Sequence, residues 1–103
     1  MTERSFLHPG AEEIALPDLL FALSDPTRLA VVAALADGAE RSCGELGGDV
    51  PKSTMSHHFK ILREAGLTRA RPEGTRCRLT LRRAELERRF PGMLDAILKH
   101  AGK

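Results

Sequence analysis

The stretch that decides the fold runs from residue 52 to residue 83 and reads KSTMSHHFKILREAGLTRARPEGTRCRLTLRR. Its first half predicts an amphipathic helix that ends near Gly66, because two different faces recur at helical spacing. The largely apolar face, suited to a core, consists of Met55, His58, Phe59 and Leu62. The polar and basic face, suited to an outside partner, consists of Ser53, Ser56, His57 and Lys60.

The second half of the stretch predicts a β-hairpin. Residues 67–72 and 76–82 flank the turn Glu73-Gly74-Thr75, and the second arm alternates between two faces. The face expected to point inward carries Cys77, Leu79 and Leu81. The face expected to point outward carries Arg76, Arg78, Thr80 and Arg82.

Basic residues are concentrated in this same stretch. The whole chain of 103 residues has a formal net charge of only +2, yet residues 52–83 hold nine Lys or Arg against two acidic residues. Residues 1–51 hold three basic residues against nine acidic ones. A basic segment in an otherwise acidic small domain indicates a polyanionic partner, usually nucleic acid. The alternative is an interaction module that docks an acidic protein through the same basic wing and helix.

The preceding segment predicts three short helices. The first begins near Pro17, and the second follows Asp25 as its N-cap. The third opens with the capping-box pair Ser42 and Glu45. Two short helices joined by a tight turn and followed by a basic hairpin are typical of a winged helix-turn-helix, a mainly α fold with a β-hairpin wing (α+β). The helix over residues 52–65 is then the candidate recognition helix for a DNA major groove.

The length of the chain allows one domain. Residues 1–15 are expected to form an N-terminal arm, and residues 16–103 the winged helix-turn-helix domain with a C-terminal helical segment interrupted at Pro91. No apolar run reaches membrane-spanning length, and the N-terminus lacks a signal-peptide profile. We therefore expect a cytoplasmic protein with no membrane partner.

Three segments resemble the ArsR/SmtB family of bacterial winged-helix repressors, namely LSDPTRLAVVAAL, KSTMSHHFKILREAGL and RPEGTRCRLTL. The resemblance spans about residues 16–100. It implies a homodimer, paired through its terminal helices, that binds double-stranded operator DNA, represses transcription and releases the DNA on a chemical signal. The sequence does not identify that small-molecule or chemical inducer. The residues that the resemblance turns toward the operator are Lys52, Ser53, Thr54, Ser56, His57 and Lys60, with Arg71, Arg76 and Arg78 of the wing on the DNA backbone.

Metal and thiol chemistry have weak support in the sequence. A tight site for a thiophilic metal needs three or four convergent ligands, and the segment that holds them in many relatives has one thiol here, Cys43. A helix start and a wing strand have no evident reason to bring Cys43 and Cys77 within about 7 Å, the reach of a disulfide. We expect two separate, core or half-exposed cysteines, with no metal or other cofactor. A metal- or thiol-responsive sensor of the same fold is the alternative.

The histidines and hydroxyls give no sign of catalysis. Adjacent residues on a helix point about 100° apart, so His57 and His58 cannot share a ligand. We expect His58 to lie at the edge of the core with a satisfied ring nitrogen. The sequence has no Gly-rich phosphate loop after a strand, no paired carboxylates in a predictable cleft and no nucleophile with a base and an orienting group. No catalytic residue is expected.

Overall fold

The computed structural model describes residues 7–101, so the first six residues of the predicted arm and the last two residues of the chain lie outside the described part. A short 3-10 turn over Ala11–Glu13 precedes six helices and three strands within these residues. The helices are α1 (Leu16–Leu23), α2 (Pro26–Ala34), α3 (Cys43–Gly47), α4 (Lys52–Ala65), α5 (Arg83–Arg89) and α6 (Met93–Leu98). The strands are β1 (Arg41–Ser42), β2 (Thr68–Glu73) and β3 (Arg76–Leu81).

The helix boundaries predicted from capping residues are confirmed. The Asp25 carboxylate accepts the backbone N–H of Arg28 at 3.0 Å and caps α2. Ser42 and Glu45 form the reciprocal capping box of α3, with the Ser42 hydroxyl accepting the Glu45 N–H at 3.1 Å. The terminal helical segment is interrupted at Pro91, since α5 ends before it and α6 begins after it.

The wing belongs to a small antiparallel sheet with the strand order β1-β3-β2. Strands β2 and β3 form the predicted hairpin, with Thr68 opposite Leu81 and Glu73 opposite Arg76. Strand β1 adds to the far edge of β3. The sequence pattern did not predict β1, because two residues are too few to show an alternation.

The core lies between the helices and the inner face of this sheet. The predicted inner face of α4 is confirmed, since Met55 and Leu62 are buried while His58 and Phe59 are half-buried. Leucines from α1, α4, β3, α5 and α6, and from the segments that follow α2 and α4, complete the core. The fully buried ones are Leu19, Leu35, Leu62, Leu67, Leu79, Leu86 and Leu94.

Residues 8–14 pack against the domain rather than standing apart from it. The Nε2 atom of His8 accepts the backbone N–H of Ala70 at 2.9 Å, which occupies a donor on β2. Ile14 is only 2% exposed. A Cβ added to Gly66 would lie 2.6 Å from the Ile14 side chain, so Ile14 sits directly against the end of α4.

The structure corrects the expected orientation of Arg82, which points inward rather than outward and is 5% exposed. Its guanidinium donates to both carboxylate oxygens of Glu85, at 2.6 and 3.1 Å, and to the Pro9 carbonyl at 2.8 Å. Alternation fails here because β3 ends at Leu81 and the chain turns into α5. A buried arginine is stable at this corner because these partners satisfy its donors.

The expectation that the two cysteines lie apart is wrong. Cys43 and Cys77 form a disulfide, with their Cα atoms 5.7 Å apart. The cause is strand β1, whose pairing with β3 places Ser42 opposite Arg78. The following residue, Cys43, is thereby carried to the position opposite Cys77. Because the sequence pattern does not predict β1, it gives no reason for Cys43 and Cys77 to lie close together.

None of the helices formed by residues 7–101 has the length and apolar character needed to cross a membrane.

Candidate DNA interface

The outer face of α4 presents the predicted row of polar side chains to solvent. This helix is amphipathic, so burial of its opposite face fixes which side chains remain outside. All six residues proposed on this helix are exposed, namely Lys52, Ser53, Thr54, Ser56, His57 and Lys60. Two hydroxyls, an imidazole and an ammonium along one helical stripe are groups that can hydrogen-bond to base edges and phosphates in a major groove.

A buried arginine attaches α4 to the first two helices. Arg28 is 7% exposed, and its Nε donates to the carbonyl of Ala22 at 2.8 Å. Its Nη1 lies 3.2 Å from Nδ1 of His58 on α4. A guanidinium has donors and no acceptor, so Nδ1 must be the acceptor in this contact. The expectation that His58 has a satisfied ring nitrogen at the core edge is confirmed.

Sequence reasoning noticed Arg28 as part of a motif but missed its structural role. Its guanidinium stacks over Phe21, with 5.3 Å from Cζ to the ring centroid. The Asp25 carboxylate is 3.9 Å from the His58 ring. The backbone N–H of Arg28 holds the pKa of Asp25 below its usual value, with a smaller contribution from the Arg28 guanidinium. The signal for this role in the sequence is a charged residue, Arg28, within the otherwise apolar helix α2.

The tip of the wing carries one well-exposed cation. Gly74 and Thr75 form the turn, and Arg76 follows at the start of β3 with its side chain exposed. No ion pair with another residue in the range 7–101 engages Arg76, Lys52 or Lys60. Among the nine proposed contact residues, these three carry a positive charge that no carboxylate among residues 7–101 offsets.

The other two predicted wing cations are already paired with carboxylates. Glu40 accepts from Arg71 through both of its oxygens, at 2.8 and 3.1 Å. Arg78 lies 3.4 Å from the same carboxylate, and Glu73 approaches both arginines at 3.8–3.9 Å. The hydrogen bond from Arg71 holds the pKa of Glu40 below its usual value, and the same contact raises the pKa of Arg71.

Glu40 is therefore a residue of this surface that the sequence analysis did not single out. It immediately precedes β1, and only the pairing of β1 with β3 brings it beside Arg71 and Arg78. An isolated acidic residue in a loop gives no signal of that position. Its carboxylate neutralises part of the positive charge that a count of arginines assigns to the wing.

The base of the wing is held by a second ion-pair cluster around Glu85 on α5. Glu85 accepts from Arg82 and also from Arg69 of β2, the latter at 3.0 Å. The paired guanidinium of Arg82, with help from Arg69, lowers the pKa of Glu85 to about 2. This cluster fixes the strands of the wing against the terminal helices.

Metal-ligating side chains do not gather anywhere in the described chain. Over residues 7–101, no three His, Cys, Asp or Glu side chains lie together in a way that could hold a metal ion. The expectation of no resident metal or cofactor stays a prediction.

Known proteins are similar to this chain in sequence and in fold. A family model described as a helix-turn-helix domain matches residues 23–71, which include α2, α3 and α4. The HTH-type transcriptional regulator YceK of Bacillus subtilis is 43% identical over 79 residues, covering 74% of this chain and 79% of YceK. The transcriptional repressor BigR of Xylella fastidiosa aligns in structure with a TM-score of 0.59 and 30% identity, covering 78% of this chain and 88% of BigR.

A homodimeric winged helix-turn-helix DNA-binding domain of Mycobacterium bovis, from a possible ArsR-family transcriptional regulator, has a similar fold. It aligns with a TM-score of 0.66 and 24% identity, covering 82% of this chain and 78% of that domain. The present chain belongs to the ArsR/SmtB family. As an ArsR/SmtB-family protein it is a DNA-binding transcriptional regulator, with α3 and α4 as its helix-turn-helix and β2–β3 as its wing.

Proposed function

We propose that this ArsR/SmtB-family regulator is a repressor that binds a partly palindromic operator as a homodimer. The observation that carries the proposal is the amphipathic recognition helix, whose inner face is buried while all six of its candidate contact residues are exposed. In a symmetric dimer, two such helices enter major grooves about one turn, roughly 34 Å, apart. The chain acts in the cytoplasm, where the DNA is, and has no catalytic role.

The contacts divide between the helix and the wing. Ser53, Thr54, Ser56 and His57 supply hydrogen-bonding groups for base edges, and Lys52 and Lys60 supply charge for phosphates. Arg76 at the wing tip contacts the backbone or enters the adjacent minor groove. Arg71 and Arg78 reach the backbone after giving up part of their pairing with Glu40.

An exposed apolar face on α1 supports the homodimer. Leu16, Leu20 and Phe21 are 40%, 50% and 62% exposed. Partly buried apolar side chains also occur on the terminal segment, namely Phe90, Met93, Ile97 and Leu98. Clustered exposed apolar residues on a small domain mark an interaction surface, and the M. bovis domain of the same fold is a homodimer.

The dimer is tested by Leu20→Asp, which puts a charge into that apolar face. We expect sedimentation velocity to show a dimer for the wild type and a monomer for the variant, with an unchanged helical circular dichroism spectrum. A wild-type monomer that nevertheless binds the operator specifically would overturn the dimer. Asp18→Asn, which changes an exposed residue of the same helix without adding a charge, is the control.

The DNA contacts are tested by Lys60→Ala and Arg76→Ala in binding titrations at several salt concentrations. We expect each to weaken operator binding about tenfold and to reduce the slope of log affinity against log salt by about one. Lys99→Ala and Arg88→Ala remove matched charges that are exposed on the terminal segment, and should leave the slope unchanged. A salt slope that survives both Lys60→Ala and Arg76→Ala would remove these residues from the interface.

The regulator releases DNA on a chemical signal that the residues do not identify.

The N-terminal arm ends, and the winged helix-turn-helix domain begins, after residue 15. Deletion of residues 1–15 tests this boundary directly. Since Ile14 and His8 contact the domain, we expect the deletion to lower the thermal midpoint while the shortened chain still folds.

A further inference from the structure

The disulfide joins α3, the first helix of the helix-turn-helix, to β3, a strand of the wing. Cys43 is the first residue of α3 and Cys77 the second residue of β3, with 5.7 Å between their Cα atoms. The pairing of β1 with β3 matches Arg41 with Leu79 and Ser42 with Arg78. Cys43 and Cys77 are the next pair in that register. The backbone ladder therefore holds the two sulfurs near one another independently of the bond between them.

The bond closes a covalent loop around the DNA-facing residues. The cysteines are 34 positions apart, and the segment between them contains all of α4, all of β2 and the wing tip. Of the nine residues proposed to contact DNA, only Arg78 lies outside this loop, and it directly follows Cys77. Opening or closing the bond changes how firmly the wing is attached to the helix-turn-helix.

The position of the pair suits reversible chemistry. Both cysteine residues are half-buried rather than enclosed in the core. Disulfides in cytosolic proteins are usually transient, catalytic or redox-sensing, because cellular thiols reduce them. A pair that the backbone keeps in register can close again after each reduction without a search through other conformations.

We propose that Cys43 and Cys77 form a reversible oxidation site for two-electron oxidants of the peroxide class, and that closing the bond strengthens DNA binding. The proposal rests on the DNA interface argued above. One thiolate attacks a peroxide oxygen, forming an S–O bond as the O–O bond breaks and releasing one water after protonation. The second thiol displaces the sulfenic oxygen, forming the S–S bond and releasing a second water. Exchange with a cellular dithiol restores both thiols.

The effect on DNA binding follows from preorganisation. In the reduced protein, the attachment of β3 to α3 loses its covalent bond and depends on the short pairing with β1. That pairing keeps the cysteines in register but leaves the wing more freedom relative to α3 than the covalent bond does, and the loss of this freedom when DNA binds lowers affinity. In the oxidised protein the wing is already fixed. We expect the oxidised form to bind operator about tenfold more tightly than the reduced form.

The test compares oxidised and reduced full-length protein in anisotropy titrations on the same operator DNA and on a scrambled duplex. Hydrogen peroxide is the oxidant, and a thiol-labelling count reports the state of the cysteines. The double variant Cys43→Ser/Cys77→Ser imitates the reduced pair without being oxidisable. We expect it to bind as the reduced wild type does and to ignore peroxide. Oxidation of the wild type should also raise Tm by about 10 °C or more.

Each result decides the proposal. Loss of both thiols without intermolecular crosslinks, with tighter operator binding that dithiothreitol reverses, supports it. Equal operator affinity of the two forms overturns the regulatory role even if Tm rises, because the bond is then structural alone. Crosslinked dimers on a non-reducing gel overturn the intramolecular pair. If neither form prefers operator over scrambled DNA, the proposed function fails as well, while the thiol count and Tm still report whether the pair closes.

Discussion

The recognition helix and the wing both present cations, but different forces hold them in position. Helix α4 is fixed by buried apolar side chains and by the contact between Arg28 and His58, and its exposed lysines have no carboxylate partner among residues 7–101. The wing is fixed by a disulfide and by two ion-pair clusters, centred on Glu40 and Glu85. A count of basic residues therefore overstates the positive charge of the wing, because Glu40 and Glu73 offset much of it. The packing of the helix should be insensitive to salt, whereas the wing should respond to both salt and pH.

The largest expected effect comes from Gly66→Ala at the end of α4. Gly66 has a φ of +98°, and an added Cβ would lie 2.6 Å from the Ile14 side chain. A left-handed backbone and a steric overlap together should lower the free energy of unfolding by about 3 kcal/mol. Urea denaturation measures this loss.

The control is Gly38→Ala, where φ is +86° and an added Cβ meets no atom within 4 Å. This substitution places alanine in a left-handed backbone conformation but creates no steric overlap. We therefore expect it to lower the free energy of unfolding by only about 1 kcal/mol. Equal losses at the two positions would mean that Ile14 moves aside without cost and is not held tightly against the end of α4.

The next effect concerns Glu85→Gln at the base of the wing. The pKa of Glu85 is lowered to about 2 in the folded protein from an ordinary value of 4.5, so its ion pairs stabilise the fold above pH 4.5. That stabilisation is lost as the pH falls from 4.5 through 2. At pH 7 the free energy of unfolding of the variant should be about 2 kcal/mol lower than that of the wild type. This difference should shrink toward zero near pH 2.

Urea titrations at pH 7, 4 and 2 check this dependence. Glu12→Gln removes an exposed carboxylate outside this cluster and should leave the curve of stability against pH unchanged. A gap between Glu85→Gln and wild type that persists at pH 2 would assign the effect to lost packing instead of charge.

The smallest effect should come from Glu40→Gln, which tests the charge difference between helix and wing directly. The substitution keeps the shape of the side chain but removes the charge that engages Arg71 and Arg78. With those cations released, DNA binding should become about three- to fivefold tighter and its salt slope steeper. Weaker binding by Glu40→Gln would instead show that Glu40 is needed to orient the two arginines.

Local sequence signals predicted most of the helical scaffold. The caps at Asp25 and Ser42, the two faces of α4, the hairpin and the interruption at Pro91 each depend on neighbouring residues, so short patterns reveal them. Fold and family also followed from these segments. The features that were missed depend on partners distant in sequence.

The disulfide and the contacts of Glu40 share one cause. Strand β1 has two residues and no pattern, yet its pairing with β3 brings Cys43 to Cys77 and Glu40 to Arg71. Arg82 was misplaced because alternation was extended one residue beyond the end of β3. Each error concerns a contact that only tertiary structure creates.

Sequence preference in DNA binding is the most direct test of the central claim. Fluorescence anisotropy would compare DNA from upstream of the protein's own gene with a scrambled duplex of equal length, using reduced and oxidised protein at one salt concentration. We predict that at least the oxidised form prefers the upstream fragment about a hundredfold, or about 2.7 kcal/mol. Equal binding of the two duplexes by both forms would contradict the assignment of this surface to an operator in that region.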